Sequence, residues 1–151
     1  MARNRQIALL ITLALGTGPQ AIAQTDAKGA PKSGERVYTE ICAACHATGV
    51  ANAPKFRDKE AWKPLIAEGQ HVLTGHAWVG VRAMPAKGGN PDIKLAEFAR
   101  AVAYMASNAG GSWPDPDAAM LRRIAKEAEE RLEKQIRDAQ KMKKELHQMS
   151  R

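Results

Sequence analysis

The sequence predicts an all-α chain, with one small helical domain and a long C-terminal helical extension. Three observations predict it. Leu95, Phe98, Val102 and Met105 recur at the three- and four-residue steps of a helix with one apolar face. Apolar residues recur again from Leu121 through Ile124, Ala128, Leu132, Ile136, Ala139, Met142 and Leu146 to Met149, at a mean step of about 3.5 residues. No stretch of the chain is rich in strand-forming residues. With 151 residues there is room for one compact domain and its two ends.

The first zone is not part of that domain. Arg3 and Arg5 precede an apolar run over residues 7–15 that only Thr12 interrupts, and Ala21-Ile22-Ala23 offers a small-residue cleavage site. Residues 1–23 therefore read as a cleaved secretory signal peptide, because the apolar run is too short to span a bilayer. An uncleaved interfacial anchor is the alternative. Export places the mature chain in the periplasm or an equivalent oxidising space. A polar linker with Gly29 and Pro31 follows over 24–32, a core domain over 33–111, and a charged amphipathic tail over 112–151. The formal charge of +7 falls to +5 once Arg3 and Arg5 leave with the signal. Clustered Lys/Arg with interleaved aromatics are missing, so nucleic acid is not an expected partner.

Within the core, Ser33 is placed to cap a helix with Glu35 in its first turn. That helix continues through Tyr38 into the cysteines, with Val37 and Ile41 on one face. Residues 47–58 read as a loop, 60–68 and 72–81 as short helices parted by Gly69, and 84–89 as a second loop. The next helix is expected to begin with Asn90 as cap and Pro91 at its first position, and to end near Gly110 and Gly111. So few aromatic residues leave a thin core for a domain of this size.

The chemistry sits at Cys42-Ala43-Ala44-Cys45-His46, the C-x-x-C-H pattern of c-type haem attachment. Two thiols at this spacing can add to the two vinyl groups on one edge of a porphyrin, and the following imidazole then lies below the iron. Both cysteines of the chain fall inside the motif. A structural disulfide across so short a loop stabilises little. A zinc site drawn from Cys42, Cys45, His71 and His76 leaves His46 unused. A thioredoxin-like pair wants a preceding strand. One covalent haem c, with its iron, is the expected cofactor.

For the distal side of the iron the candidates are Met84, Met105, His71 and His76. Met84 stands in a Pro/Gly-rich loop able to aim its thioether. Met105 lies on the apolar stripe of a helix, where packing is its ordinary role. The chemistry favours Met84 over a second histidine.

With these motifs in order, residues 33–109 resemble the class I c-type cytochromes, and within them the short bacterial cytochrome c-five subgroup. The shared stretches are Val37-Tyr38, Cys42 to His46, residues 47–55 (ATGVANAPK), residues 83–89 (AMPAKGG) and residues 101–105 (AVAYM). The resemblance implies the small class I fold around one covalent haem, with His46 as proximal and Met84 as distal ligand. It implies that the Pro54 carbonyl accepts a hydrogen bond from His46, that Gly34 lets the first helix cross the helix ending at Met105, and that Trp62 and Trp78 line or cover the haem. The extra cysteine pair common in the subgroup is replaced here by Asn90-Pro91-Asp92, and residues 112–151 have no counterpart in it.

In the tail, Asp115 or Asp117 is expected to cap a helix beginning at Pro116. Glu127–Arg131, Glu130–Lys134 and Glu133–Arg137 are set for favourable pairs one turn apart. The seam suits a coiled coil giving a homodimer or a docked partner, and equally a single solvated helix.

The function expected is one-electron transfer, not enzymatic turnover, between redox protein donors and acceptors such as membrane respiratory complexes. Lys55 and Lys87 are candidates to steer an acidic partner. The alternative is a gas-binding or small catalytic haem protein with a displaceable sixth ligand.

Overall fold

The computed structural model describes residues 31–151, so the expected signal peptide lies outside the described residues. All regular structure among them is helical, apart from an isolated bridge between Val81 and Met84. The elements are α1 (Gly34–Val37), a π-helical turn (Tyr38–Cys42), α2 (Ala43–His46), α3 (Lys59–Ala67), α4 (Gln70–Val79), α5 (Leu95–Asn108) and α6 (Ala118–Met149). Short 3-10 turns lie at Val50–Asn52 and Ala86–Gly89.

Ser33 caps α1 as expected, its hydroxyl accepting from the Arg36 amide at 3.2 Å. The following π turn was not foreseen. Val37 and Cys42 are both buried, yet five residues subtend about 140° on an α-helix. The wider turn narrows that angle and brings both side chains to the core. Asp58 and Asp117 cap α3 and α6, accepting from Ala61 at 3.1 Å and Met120 at 2.7 Å. Helix α6 therefore begins one residue after Asp117, with Pro116 outside it.

The start of α5 corrects the sequence reading. Asn90 does not cap it. Its side-chain oxygen accepts from the Asp92 amide at 3.0 Å, closing a local turn, and the helix starts at Leu95 after Lys94. An Asx turn competes with a helix cap for the same side-chain oxygen, and here the turn wins.

Val37, Trp62, Leu73, Ile93, Phe98, Val102 and Met105 form the centre of the core. Helix α1 crosses α5 so closely that a Cβ on Gly34 would lie 2.3 Å from the Arg100 carbonyl oxygen. That is the close approach the resemblance implied. Tyr38, Phe56 and Tyr104 stack side by side, with ring centroids 4.3 Å apart for the first pair and 5.5 Å for Phe56–Tyr104. They tie the end of α1 to the loop and to α5.

This cluster carries a pH dependence. Burial raises the phenol of Tyr104 above its ordinary value, helped by Glu35, which accepts its hydroxyl proton at 3.3 Å; burial likewise raises Tyr38. The fold thus favours neutral phenols, while an unfolded chain ionises near pH ~10. The contribution is complete below that pH and is lost as pH rises through the folded values. Melting temperature should fall more steeply in the alkaline range for the native chain than for Tyr104→Phe; parallel slopes would remove the phenol as the cause.

Candidate functional site

The cysteine–histidine motif sits on the turn of backbone that joins the π turn to α2. Cys42 is buried and Cys45 is exposed, so one thiol faces the interior and the other the rim. Burial pushes the Cys42 thiol up to about 11, because a thiolate there would lose its hydration. His46 closes α2 and is buried. Its carbonyl accepts from the Phe56 amide at 2.7 Å, and Gly49, at φ 85°, turns the chain back by donating to the Cys45 carbonyl at 2.9 Å. Left-handed Ala51 and Asn52 complete the reversal.

The reversal carries Pro54 under the histidine ring. His46 Nδ1 lies 2.9 Å from the Pro54 carbonyl oxygen. A carbonyl only accepts, so Nδ1 carries a proton, and in the neutral ring Nε2 then keeps its lone pair. A histidine in this tautomer is a ready metal donor, and the partner that fixes the ring is already in place. Trp62 packs nearby, its ring centroid 6.2 Å from that of His46, and its indole N–H donates to the Lys55 carbonyl at 2.8 Å.

The second expected ligand, Met84, lies in the segment that follows α4. Val81 and Met84 exchange backbone hydrogen bonds at 3.1 and 2.9 Å, folding the chain sharply behind α4. Gly80 permits this fold, since a Cβ there would meet the Ala86 amide at 2.9 Å. Met84 is left half-buried against the core. Farther on, a Cβ on Gly88 would lie 3.5 Å from Ile41, so the methionine loop is seated beside the helix that carries the cysteines. Trp78 meets Phe98 edge-on at 5.4 Å, and Lys87 lies over its ring at 5.1 Å while donating to the Pro91 carbonyl at 2.9 Å.

The rival histidines are occupied elsewhere. His71 contacts Arg123 at 3.0 Å, and His76 lies 3.2 Å from Glu127 and 3.6 Å from Glu68. Both face α6. Among the described residues no group of three or more His, Cys, Asp or Glu is arranged to hold a metal ion, which removes the four-ligand zinc reading. Met105 is buried in the core on α5. Sequence reasoning missed Gly75, where a Cβ would lie 2.8 Å from Glu127 Cγ, and the seam between α4 and α6 that this glycine allows. A glycine inside an otherwise helical run was the available signal.

The profile of the family described as cytochrome c oxidase, cbb3-type, subunit III matches residues 29–105. Cytochrome c-555 of Chlorobaculum thiosulfatiphilum is 46% identical over 77 residues, covering 48% of this chain and 90% of the relative. Cytochrome c5 of Azotobacter vinelandii is 38% identical over 79 residues, covering 51% and 95%. A solved chain from a crystal structure of an electron transfer complex of nitrite reductase with cytochrome c is 46% identical. It covers 50% of this chain and 93% of that one, with a TM-score of 0.49. The chain belongs to the cytochrome c family, in its class I, c5-like branch. Its cofactor is accordingly covalently bound haem c with iron. The residues fit that group: two thiols at attachment spacing and a histidine whose free nitrogen is the unprotonated one. The matched region stops before α6.

Proposed function

We propose that this protein is an exported one-electron carrier whose haem is attached to Cys42 and Cys45 and ligated by His46 and Met84. The observation that carries the reading is the buried His46, with Nδ1 committed to Pro54 at 2.9 Å and Nε2 left to donate. The haem supplies reversible exchange of one electron, and the chain supplies orientation and environment.

Each residue has a definable part. Pro54 keeps His46 in one tautomer and one orientation, so the proximal donor does not reorganise between redox states. Met84 offers a soft thioether from a loop pinned by the Val81–Met84 bridge, and His/Met ligation favours a raised reduction potential. The half-buried Trp78 and buried Trp62 limit water at the site. Cys45, exposed at the rim, marks where a partner can approach closely enough for outer-sphere transfer. Redox proteins, including membrane respiratory complexes, are the partners that chemistry suits. Lys55 is the better candidate for steering them, since Lys87 is held over Trp78. The signal-like residues 1–23 support a periplasmic location. No helix of the described residues is long and apolar enough to cross a membrane.

The engagement of His71 and His76 with α6 argues against a histidine in the sixth position and for a closed site. The test is spectroscopic. The ferric protein should show the near-infrared thioether-to-iron band, and the reduced protein should not bind carbon monoxide at neutral pH. Met84→Ala should abolish the band and admit carbon monoxide. A native protein that lacks the band and binds the gas readily would replace electron carriage with gas binding or catalysis.

A further inference from the structure

Helix α4 lies between two glycine joints. Gly69 before it has φ 93° and ψ 153°, and Gly80 after it has φ 98° and ψ 139°, conformations that residues with a Cβ rarely adopt. No side-chain hydrogen bond caps its first turn. Its last turn leads directly to Met84. The Gly80 amide donates to the His76 carbonyl at 3.0 Å, and Val81 and Met84 then bond to each other. A Cβ on Gly80 would lie 3.1 Å from the Met84 carbonyl oxygen, so the turn is folded tightly against the end of the helix. The backbone can thus swing α4 and Met84 as one unit about the two glycines.

That unit is tied along its length by the first half of α6, which is docked on it, and by the strap before α6. At the start of α4 the buried Gln70 donates through Nε2 to the Pro114 carbonyl at 3.0 Å. One residue on, the Arg123 guanidinium donates to the His71 ring at 3.0 Å. In the middle, a Cβ on Gly75 would lie 2.9 Å from Glu127 Cβ and 3.1 Å from the Ala128 amide, and Ala128 is buried. Toward the end, His76 Nε2 donates to Glu127 Oε1 at 3.2 Å. His76 therefore joins α6 through its ring to the Met84 turn through its carbonyl. The residues that meet α4 in these four places all lie beyond residue 105, where the family match ends.

We propose that residues 112–131 clasp α4 and thereby hold Met84 at the iron, which makes Gln70, Gly75 and His76 positioning residues for the sixth ligand. The inference rests on the reading of Met84 as that ligand. Releasing the thioether requires the segment around Met84 to swing outward. With the clasp closed, α4 is pinned from Gln70 to His76 and only the short turn after Gly80 can give. With the clasp open, the whole unit from Gly69 to Met84 can rock, and the opening breaks fewer contacts. The free energy of a local opening is set by the contacts that the opening unit must break, so the clasp governs how readily an outside ligand reaches the sixth position. Resting ligation is the same in both states, because no residue of the clasp is itself a ligand.

The test is displacement of the thioether by imidazole in the full-length ferric holoprotein, followed at the near-infrared band. Gly75→Val and His76→Ala should both show the band at rest and lose it at a roughly tenfold lower imidazole concentration than the native protein, a difference of ~1.4 kcal/mol. His76→Gln keeps a side-chain N–H for Glu127 and should recover most of the native resistance, which a general loss of stability would not predict. His76→Ala adds no bulk, so it carries the comparison by itself if Gly75→Val fails to take up haem. A native imidazole midpoint in the variants overturns the clasp while leaving Met84 as the ligand. A native protein with no band at rest overturns the Met84 reading and the clasp with it, so the two failures are told apart before any imidazole is added.

Discussion

Replacing Gly34 by alanine will destabilise the protein, although helix propensity alone argues the reverse. Exchanging glycine for alanine within a helix ordinarily gains up to ~1 kcal/mol through backbone entropy. Here the new Cβ would lie 2.3 Å from the Arg100 carbonyl oxygen and 2.8 Å from its carbon. Those atoms are backbone of α5 and cannot rotate aside, so α1 must lift away from α5. Overpacking of this kind costs about 1–3 kcal/mol, and contact with rigid backbone puts Gly34→Ala at the upper end. For a domain of this size that is a fall in melting temperature of roughly 10–20 °C. Thermal unfolding followed at the haem absorbance measures it, and an unchanged or raised midpoint would show that the helices separate without cost.

Gly75→Val tests the second close approach and should act on a different part of the molecule. A Cβ at Gly75 would lie 2.8 Å from Glu127 Cγ, 2.9 Å from its Cβ and 3.1 Å from the Ala128 amide. The larger side chain forces α6 off α4, uncovering Ile124, which is fully buried in the native protein, and Ala128. Loss of the isoleucine burial alone is worth about 1.5–3 kcal/mol. The pairs His76–Glu127 and His71–Arg123 separate with it. The haem spectrum should be preserved, since none of the proposed ligands lies on α6, while trypsin should cut at Arg122 and Arg123 several-fold faster. Equal cleavage rates in native and variant protein would mean that the docked half of α6 is held by something other than this seam.

Much of the fold was legible because its signals are local. Ser33 and Asp117 cap through their own side chains, and the apolar spacing of α5 and α6 follows from the helical repeat. Glu133 pairs with Arg137 at 3.4 Å as the spacing suggests. Other expected pairs were exchanged for competitors: Glu130 lies 3.3 Å from Lys126, and Lys134 lies 2.7 Å from Asp138. Glu127 leaves its own helix to meet His76. Each glutamate or lysine on a charged helix has partners one turn in either direction, and sequence spacing does not rank them.

The sequence by itself determined the chemistry of this protein. The cofactor is haem c, and two thiols and an imidazole in fixed order are the candidate attachment site we propose for it, because their relation is set by neighbouring residues on one turn of backbone. Tertiary structure decided the environment of that site. Whether Cys42 or Cys45 faces inward depends on the π turn, and the tautomer of His46 depends on a loop that returns Pro54 beneath it. Whether α6 stands free or leans on the haem domain depends on Gly75 meeting residues more than fifty positions away. Those outcomes rest on which distant surfaces come within a few ångströms of each other, and no local pattern of residues encodes that.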